Sequence, residues 1–117
     1  MSDYHRPPGK TTVSPDVLIT IARMAALSVP GVSAMAPVSG GVDRFLHRGP
    51  NAGIRMTIHD NVVVGDIFVI VKGDVNIREV GRTVQEQVAR AIQEMVGMDV
   101  AKLDIHIENI EYEGAEA

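Results

Sequence analysis

The sequence predicts an α+β domain in which two helices pack on one face of a small mixed or mainly antiparallel sheet. Three observations predict it: an apolar stretch at 62–72, two segments with helical periodicity, and two segments in which apolar and polar residues alternate. The predicted order is (β)αβββαβ, where the parentheses mark an optional edge strand at 10–13. A chain of 117 residues without cysteine is one domain's worth, and it can bury roughly two-thirds of its unfolded surface without disulfides.

The stretch 62–72, VVVGDIFVIVK, is the predicted centre of the sheet. It is rich in β-branched residues and too short for a buried helix, so we expect a strand that is covered on both faces. Asp66 interrupts the apolar run beside Gly65, either as a buried acid or, as we favour, as the mark of a β-bulge. The alternating segment 54–59 precedes it, and the tight turn Asp60-Asn61 predicts that the two strands form a hairpin.

The first helix is predicted to run over 15–28. Ser14 before Pro15 is a typical helix start, because the serine hydroxyl can accept from the free amides of the first turn. Apolar residues occupy most of the helix circumference, which is more surface than one sheet face can cover. The alternatives are cover by the loop that follows and an interface between subunits. The residues proposed for that interface are Leu18, Ile19 and Met24.

The second helix begins after Asn76, which forms a predicted capping box with Glu79, and Gly97 ends it. Apolar residues recur through it at helical spacing. The last segment, 100–110, alternates apolar and polar residues and is predicted to be a half-exposed strand.

A loop with four glycines occupies 37–53, after a short predicted strand at 32–36. It is longer than loops in compact domains usually are, which marks it as a candidate functional segment. It also holds a local mixture of basic and aromatic side chains, which could contact a phosphate and stack on a base. The alternative function is therefore a small nucleic-acid-binding module that acts through Arg44, Phe45, His47 and Arg48.

The motif search predicts no catalytic residue, no cofactor and no metal site, since no phosphate loop or known catalytic motif occurs. Among the four histidines, only His59 and His106 could meet, on exposed strand faces, and solvation is the favoured state for both. An enzyme that uses Asp66 lacks a partnered base or nucleophile. The net charge of −4 makes broad attraction to nucleic acid unexpected.

The ends of the chain, 1–9 and 113–117, are predicted to be a disordered arm and a disordered acidic tail around a single domain at 10–112. The first residues have no apolar core of a secretory signal. The longest apolar runs fall short of the ~20 residues that a membrane span needs. We therefore expect a cytoplasmic protein without direct membrane insertion.

Three segments carry a resemblance to a known family: SPDVLITIARMAALSVPGV, then DIFVIVKGDVNIREV, then VQEQVARAIQEMVGMDVAKLDIHIENI. Their order and motifs resemble the alkaline shock protein family, the small envelope-stress proteins of Gram-positive bacteria, over nearly all of residues 10–112. The resemblance is one of pattern and short motifs, since the family is not known for an active site.

The resemblance implies a non-enzymatic protein that acts by protein–protein contact. Some members of the family associate with themselves, and some are held at the membrane by a separate partner that has its own transmembrane segments. The prediction is therefore a homo-oligomeric scaffold or adaptor of the cell-envelope or alkaline stress response. Its expected partners are a second copy of the chain and a membrane-anchored protein, with no small-molecule substrate.

Overall fold

The computed structural model describes residues 8–37 and 53–112. Its elements are helix α1 (Pro15–Leu27), strands β1 (Val32–Met35), β2 (Ile54–His59) and β3 (Val62–Lys72), helix α2 (Ile77–Val96) and strand β4 (Asp99–Glu111). This order confirms the predicted α+β class. The optional strand at 10–13 does not form, since those residues have no regular secondary structure. The predictions for 1–7, for most of the 37–53 loop and for 113–117 concern residues outside the described ranges.

Strand β3 is the centre of the four-stranded sheet. On one edge it pairs in parallel with β4 along its whole length. On the other edge it pairs antiparallel with β2 over 62–67 and with β1 over 69–71, so β1 and β2 lie end to end. Phe68 joins them, because its N–H donates to the carbonyl of Gly53 and its carbonyl accepts from the N–H of Ala36, each at 2.8 Å. The sheet is therefore mixed, with a hairpin at its centre, as predicted.

The two faces of β3 differ, which corrects the expectation that both are covered. Side chains on one face are fully buried under the helices, namely Val63, Ile67, Val69 and Val71. The alternate side chains lie on what we call the open face, the face of the sheet opposite the helices. There Val62, Val64 and Asp66 are only partly buried, although Phe68 is 4% exposed and packs in a separate small cluster. The reason is that both helices lie in one layer and pack into one core.

The helix-covered core has a simple basis in the sequence. In α2, the buried residues recur every four positions, at Val80, Val84, Val88 and Ile92, so a single stripe faces the sheet. In α1, the buried residues cover a wider arc and contact both α2 and the sheet: Leu18, Ile19, Ile21, Ala22 and Ala26. No helix among the described residues is long and apolar enough to cross a membrane.

The two helix starts behave differently. The Asn76 side chain accepts a hydrogen bond from the N–H of Glu79 at 3.1 Å, which confirms the Asn76 half of the predicted capping box. Gly97 ends α2 with a left-handed φ of +79°, as predicted. The Ser14 side chain makes no capping hydrogen bond, so that prediction is wrong. The physical reason is that the Ser14 carbonyl already accepts from the N–H of Val17 at 3.0 Å.

The hairpin turn is as predicted. Asp60 and Asn61 have φ values of +51° and +66°, the left-handed conformation that a two-residue turn needs when it matches the twist of its strands. The first pair beyond the turn is His59 with Val62. Aspartate and asparagine tolerate this conformation better than other residues with a side chain, so the turn chemistry fixes the register of β2 on β3.

The predicted bulge at Asp66 is absent, since the pairing of Gly65 and Asp66 with both neighbouring strands is regular. The irregularities lie in β4, where the register passes over Ala101 and Glu108. The spacing of the apolar residues of β4 explains their location. Those residues occupy every second position only from 103 to 107. On either side of this stretch the next apolar residue is three positions away, and the extra residue in between allows it to stay on the helix-covered face. These apolar residues are Val100, Leu103, Ile105, Ile107 and Ile110.

Candidate functional site

A cluster of polar side chains lies on the open face where β3 and β4 run side by side. The parallel register places Asp66 opposite Asp104 and Phe68 opposite His106. The alternation that puts Leu103 and Ile105 in the core puts the residues between and beyond them on the open face. One carboxylate from β3, one from β4 and an imidazole from β4 therefore meet, and we call them the Asp–Asp–His cluster.

The imidazole of His106 is held from two sides. Its Nε2 lies 2.9 Å from Oδ1 of Asp66, within hydrogen-bond distance. Its ring stacks on the ring of Phe68 with 4.4 Å between centroids and 13° between planes. Stacking fixes the plane of the ring and the hydrogen bond fixes its rotation, so Nε2 has a defined direction.

Two cations border the cluster. Arg55 on β2 pairs with Asp66, and its Nη2 lies 3.7 Å from the carboxylate Oδ2. The same guanidinium lies 5.6 Å from the centroid of the Phe68 ring. On the other side, Nζ of Lys102 lies 3.6 Å from Oδ2 of Asp104. The two carboxylates and two cations balance in charge, which lets like charges lie side by side on adjacent strands.

The cluster is open to solvent. About a third of the side-chain surface is exposed at Asp66 (31%) and at His106 (39%), and about half at Asp104 (47%). A groove of about 250 Å³ adjoins it between β2 and β4, and Arg55, Thr57 and Lys102 are among its lining residues. Carboxylate oxygens and a neutral imidazole nitrogen are ligands of divalent metal ions, so cation binding is the chemistry that the donor set permits.

The two histidines of the sequence prediction do not meet. His59 lies opposite Val62 at one end of β3, whereas His106 lies opposite Phe68, which is six residues further along. Six residues correspond to about 20 Å in a strand. The sequence analysis favoured solvation for both histidines, and it did not identify the contact that His106 makes. Its partner is Asp66, which reaches it through the parallel pairing of β3 with β4.

The candidates for an interface on α1 separate into buried and exposed side chains. Leu18 is 0% exposed and Ile19 is 8% exposed, so both belong to the core and neither can contact a partner. Met24 is 62% exposed, and Val17 (45%) and Leu27 (37%) accompany it on the same side of the helix. This corrects the proposed surface, because α2 and the sheet themselves cover Leu18 and Ile19. Its other members, Arg44, Phe45, His47 and Arg48, lie outside the described residues.

The outer side of α2 is different in character. Its exposed positions are polar or charged over most of its length, and Met95 in the last turn is its exposed large apolar residue, at 70%. Both helices cover the same sheet face, yet only α1 presents apolar side chains along its outer side. The difference between the helices makes α1 the candidate contact surface.

The fold places the chain among two-layer α+β domains, and solved structures share it. The copper form of MamM CTD matches with a TM-score of 0.59 and 17% identity, covering 83% of this chain and 87% of that one. A zinc form of a MamM CTD variant matches with a TM-score of 0.59 and 15% identity, covering 86% and 91%. At this identity the similarity shows a shared fold.

The chain belongs to the alkaline shock protein 23 family, which is described as having a cell envelope-related function and whose model matches residues 4–112. The match confirms the resemblance seen in the sequence. A relative, the uncharacterized protein YqhY of Bacillus subtilis, is 29% identical over 107 residues, which are 90% of this chain and 79% of that protein.

Proposed function

We propose that this protein is a non-enzymatic contact module that associates with a second copy of itself through the outer side of α1, in a process related to the cell envelope. The observation that carries the proposal is the exposure of Val17, Met24 and Leu27 on one side of α1. The family description supports the envelope context.

Six residues of α1, all of them exposed except the half-buried Arg23, form a continuous surface. At about 100° per residue, they span an arc of about 120° that we call the α1 outer arc. Asp16 and Arg23 lie on one border of the arc, and Val17 and Met24 lie on the other, with Thr20 and Leu27 between them. The arc therefore has a charged border and an apolar border that run parallel to the helix axis.

This surface is complementary to itself. A two-fold axis across the helix at Thr20 would bring a second α1 alongside in the antiparallel direction. Asp16 would then lie opposite the partner's Arg23, and Val17 opposite the partner's Met24. Each contact would occur twice by symmetry. A surface that matches opposite charges and apolar groups with its own copy favours self-association over binding to an unrelated protein.

The expected dimer is concentration-dependent. A helix of 13 residues is about 20 Å long, so the arc alone provides less than the ~800 Å² per partner of a standard interface. Full burial of an apolar side chain such as Met24 contributes about 1.5–3 kcal/mol. We therefore expect association that is visible across a concentration series.

Sedimentation velocity over such a series tests the proposal. The sedimentation coefficient of the wild-type protein should rise with concentration, and Met24→Glu should abolish the rise because it places a charge in the contact. Met95→Glu is the matched control, since Met95 is exposed to a similar extent (70% against 62% for Met24) but lies on α2. A wild-type protein that stays monomeric, or equal effects of the two variants, would contradict the proposal.

A charge exchange tests the antiparallel geometry. Asp16→Arg and Arg23→Asp should each weaken association, because each places like charges opposite one another. The double variant should restore it, and a mixture of the two single variants should form heterodimers. If the two helices met in the parallel direction, the double variant would not restore association.

The finer cellular role is also a proposal. We propose a cytoplasmic scaffold or adaptor in the alkaline or cell-envelope stress response that a membrane-anchored partner holds at the membrane. Cross-linking in cells followed by membrane fractionation tests it. The chain should sediment with membranes and leave them after loss of the partner, and recovery in the cytosol under all conditions would contradict it.

A further inference from the structure

We infer that Asp66, Asp104 and His106 form a binding site for a divalent transition-metal ion such as Zn²⁺. The three residues lie on the open face of the sheet, whereas the α1 outer arc lies on the helix layer. The inference therefore does not depend on the proposed self-association.

The distances of the cluster suit an ion. One ligand atom from each of the three side chains lies within 4.8 Å of the other two. Nε2 of His106 and Oδ1 of Asp66 are 2.9 Å apart. Two ligands of a tetrahedral zinc ion, each about 2.1 Å from it, are separated by about 3.4 Å. Asp66 and His106 therefore have to move apart by about 0.5 Å to bind one ion, and the exposed Asp104 has to turn toward it.

The neighbouring cations leave ligand atoms available. Arg55 and Lys102 each contact an Oδ2 atom, at 3.7 Å and 3.6 Å. Both are long ion pairs between part-exposed side chains, and such pairs stabilise little. Oδ1 of Asp66 faces the imidazole instead. With an ion bound to Oδ1 of Asp66, Arg55 would still contact Oδ2 of the same carboxylate and would orient it. Residues that contact metal ligands commonly orient them in this way.

Two further features prepare the site. The stacking of His106 on Phe68, with centroids 4.4 Å apart, holds the imidazole before an ion arrives. The groove of about 250 Å³ beside Asp66 and Asp104 gives room for water molecules as the remaining ligands. Three protein ligands plus water make a coordination shell with an open position.

The donor set selects the class of ion. A neutral imidazole is a ligand for zinc and other transition metals, whereas calcium and magnesium prefer oxygen donors throughout. The sequence has no cysteine, so no thiolate is available for the ions that prefer sulfur.

Isothermal titration of the full chain with Zn²⁺ tests the inference. We expect one equivalent bound per chain. Asp104→Asn and His106→Gln should each weaken binding at least about tenfold, since each removes one of three ligands. A variant with His5, His47 and His59 all changed to Gln is the matched control, because it removes the other histidines of the chain and should bind like the wild type.

Three results would overturn the inference: no saturable binding by the wild type, unchanged binding in both cluster variants, or loss of binding in the control variant. Imidazole NMR signals of the wild type supply a measurement that needs no substitution in the cluster. The ring signals of His106 should shift with the first equivalent of Zn²⁺ while those of His59 do not. A shift of His59 first would also overturn the inference.

Discussion

Nε2 of His106 lies 2.9 Å from Oδ1 of Asp66, and the two residues are 40 positions apart in the chain. The contact joins β3 to β4, which run parallel and are connected through α2. A slip of one residue between these strands would move His106 to the helix-covered face and Ile105 or Ile107 to the open face. The contact therefore forms only in the register that also buries the apolar residues of β4.

The first prediction concerns the energy of this contact. In a double-mutant cycle with Asp66→Ala and His106→Ala, the coupling in the free energy of unfolding should be about 1 kcal/mol, the usual size for one hydrogen bond. The Lys102 and Asp104 pair is the control, and its more exposed ion pair should couple by less than about 0.5 kcal/mol. Urea unfolding measures both cycles. Equal coupling in the two would mean that the His106 contact is no stronger than a surface ion pair.

The second prediction separates the two helix caps. Asn76→Ala should lower the free energy of unfolding by about 1 kcal/mol, because it removes the acceptor for the Glu79 N–H. Ser14→Ala should change it by less than about 0.5 kcal/mol, because the Ser14 side chain makes no capping hydrogen bond. Thermal unfolding monitored by circular dichroism measures both. A larger loss for Ser14→Ala would show that its hydroxyl does cap α1 in solution.

The fold could be predicted from the sequence because its signals are local. The capping residue Asn76, the stop at Gly97 and the turn at Asp60-Asn61 each act within a few positions, and each is present in the structure. The signal at Ser14 and Pro15 marked the start of α1 correctly, but the capping hydrogen bond of the Ser14 side chain is absent. The residue type alone does not show that the amide of Val17 donates to the Ser14 carbonyl instead. The prediction that both faces of β3 are covered was wrong, because an apolar run does not show on which side of the sheet the helices pack.

The Asp–Asp–His cluster could not be predicted, because it depends on which strands are neighbours. The sequence shows that Asp104 and His106 alternate with core residues, so their common face could be inferred. That Asp66 belongs beside them follows only from the parallel pairing of β3 with β4. The available signal was the single carboxylate of Asp66 within an otherwise apolar run, and it was interpreted as a bulge instead.

The third prediction concerns the turn between α1 and β1. Gly31 has φ +102°, and a Cβ there would lie 2.8 Å from Cγ2 of Val80. Gly31→Ala should therefore cost more than about 1 kcal/mol, the strain of the backbone conformation alone. Gly97→Ala is the control, since Gly97 also has a positive φ but nothing lies within 4 Å of a Cβ. Urea unfolding should show the larger loss for Gly31→Ala, and equal losses would mean that the turn moves away from α2 without cost.

The last prediction distinguishes stability from association within one helix. Leu18→Ala should lower the free energy of unfolding by about 2–5 kcal/mol, because Leu18 is 0% exposed and its truncation leaves a cavity. Met24→Ala, at 62% exposure, should change the stability of the monomer by less than about 0.5 kcal/mol. It should nevertheless weaken self-association, since the side chain is expected to be buried only between copies. Unfolding at low concentration and sedimentation at high concentration measure the two quantities separately. A loss of monomer stability in Met24→Ala comparable to that in Leu18→Ala would show that this side chain serves the core of its own chain and would remove it from the contact surface.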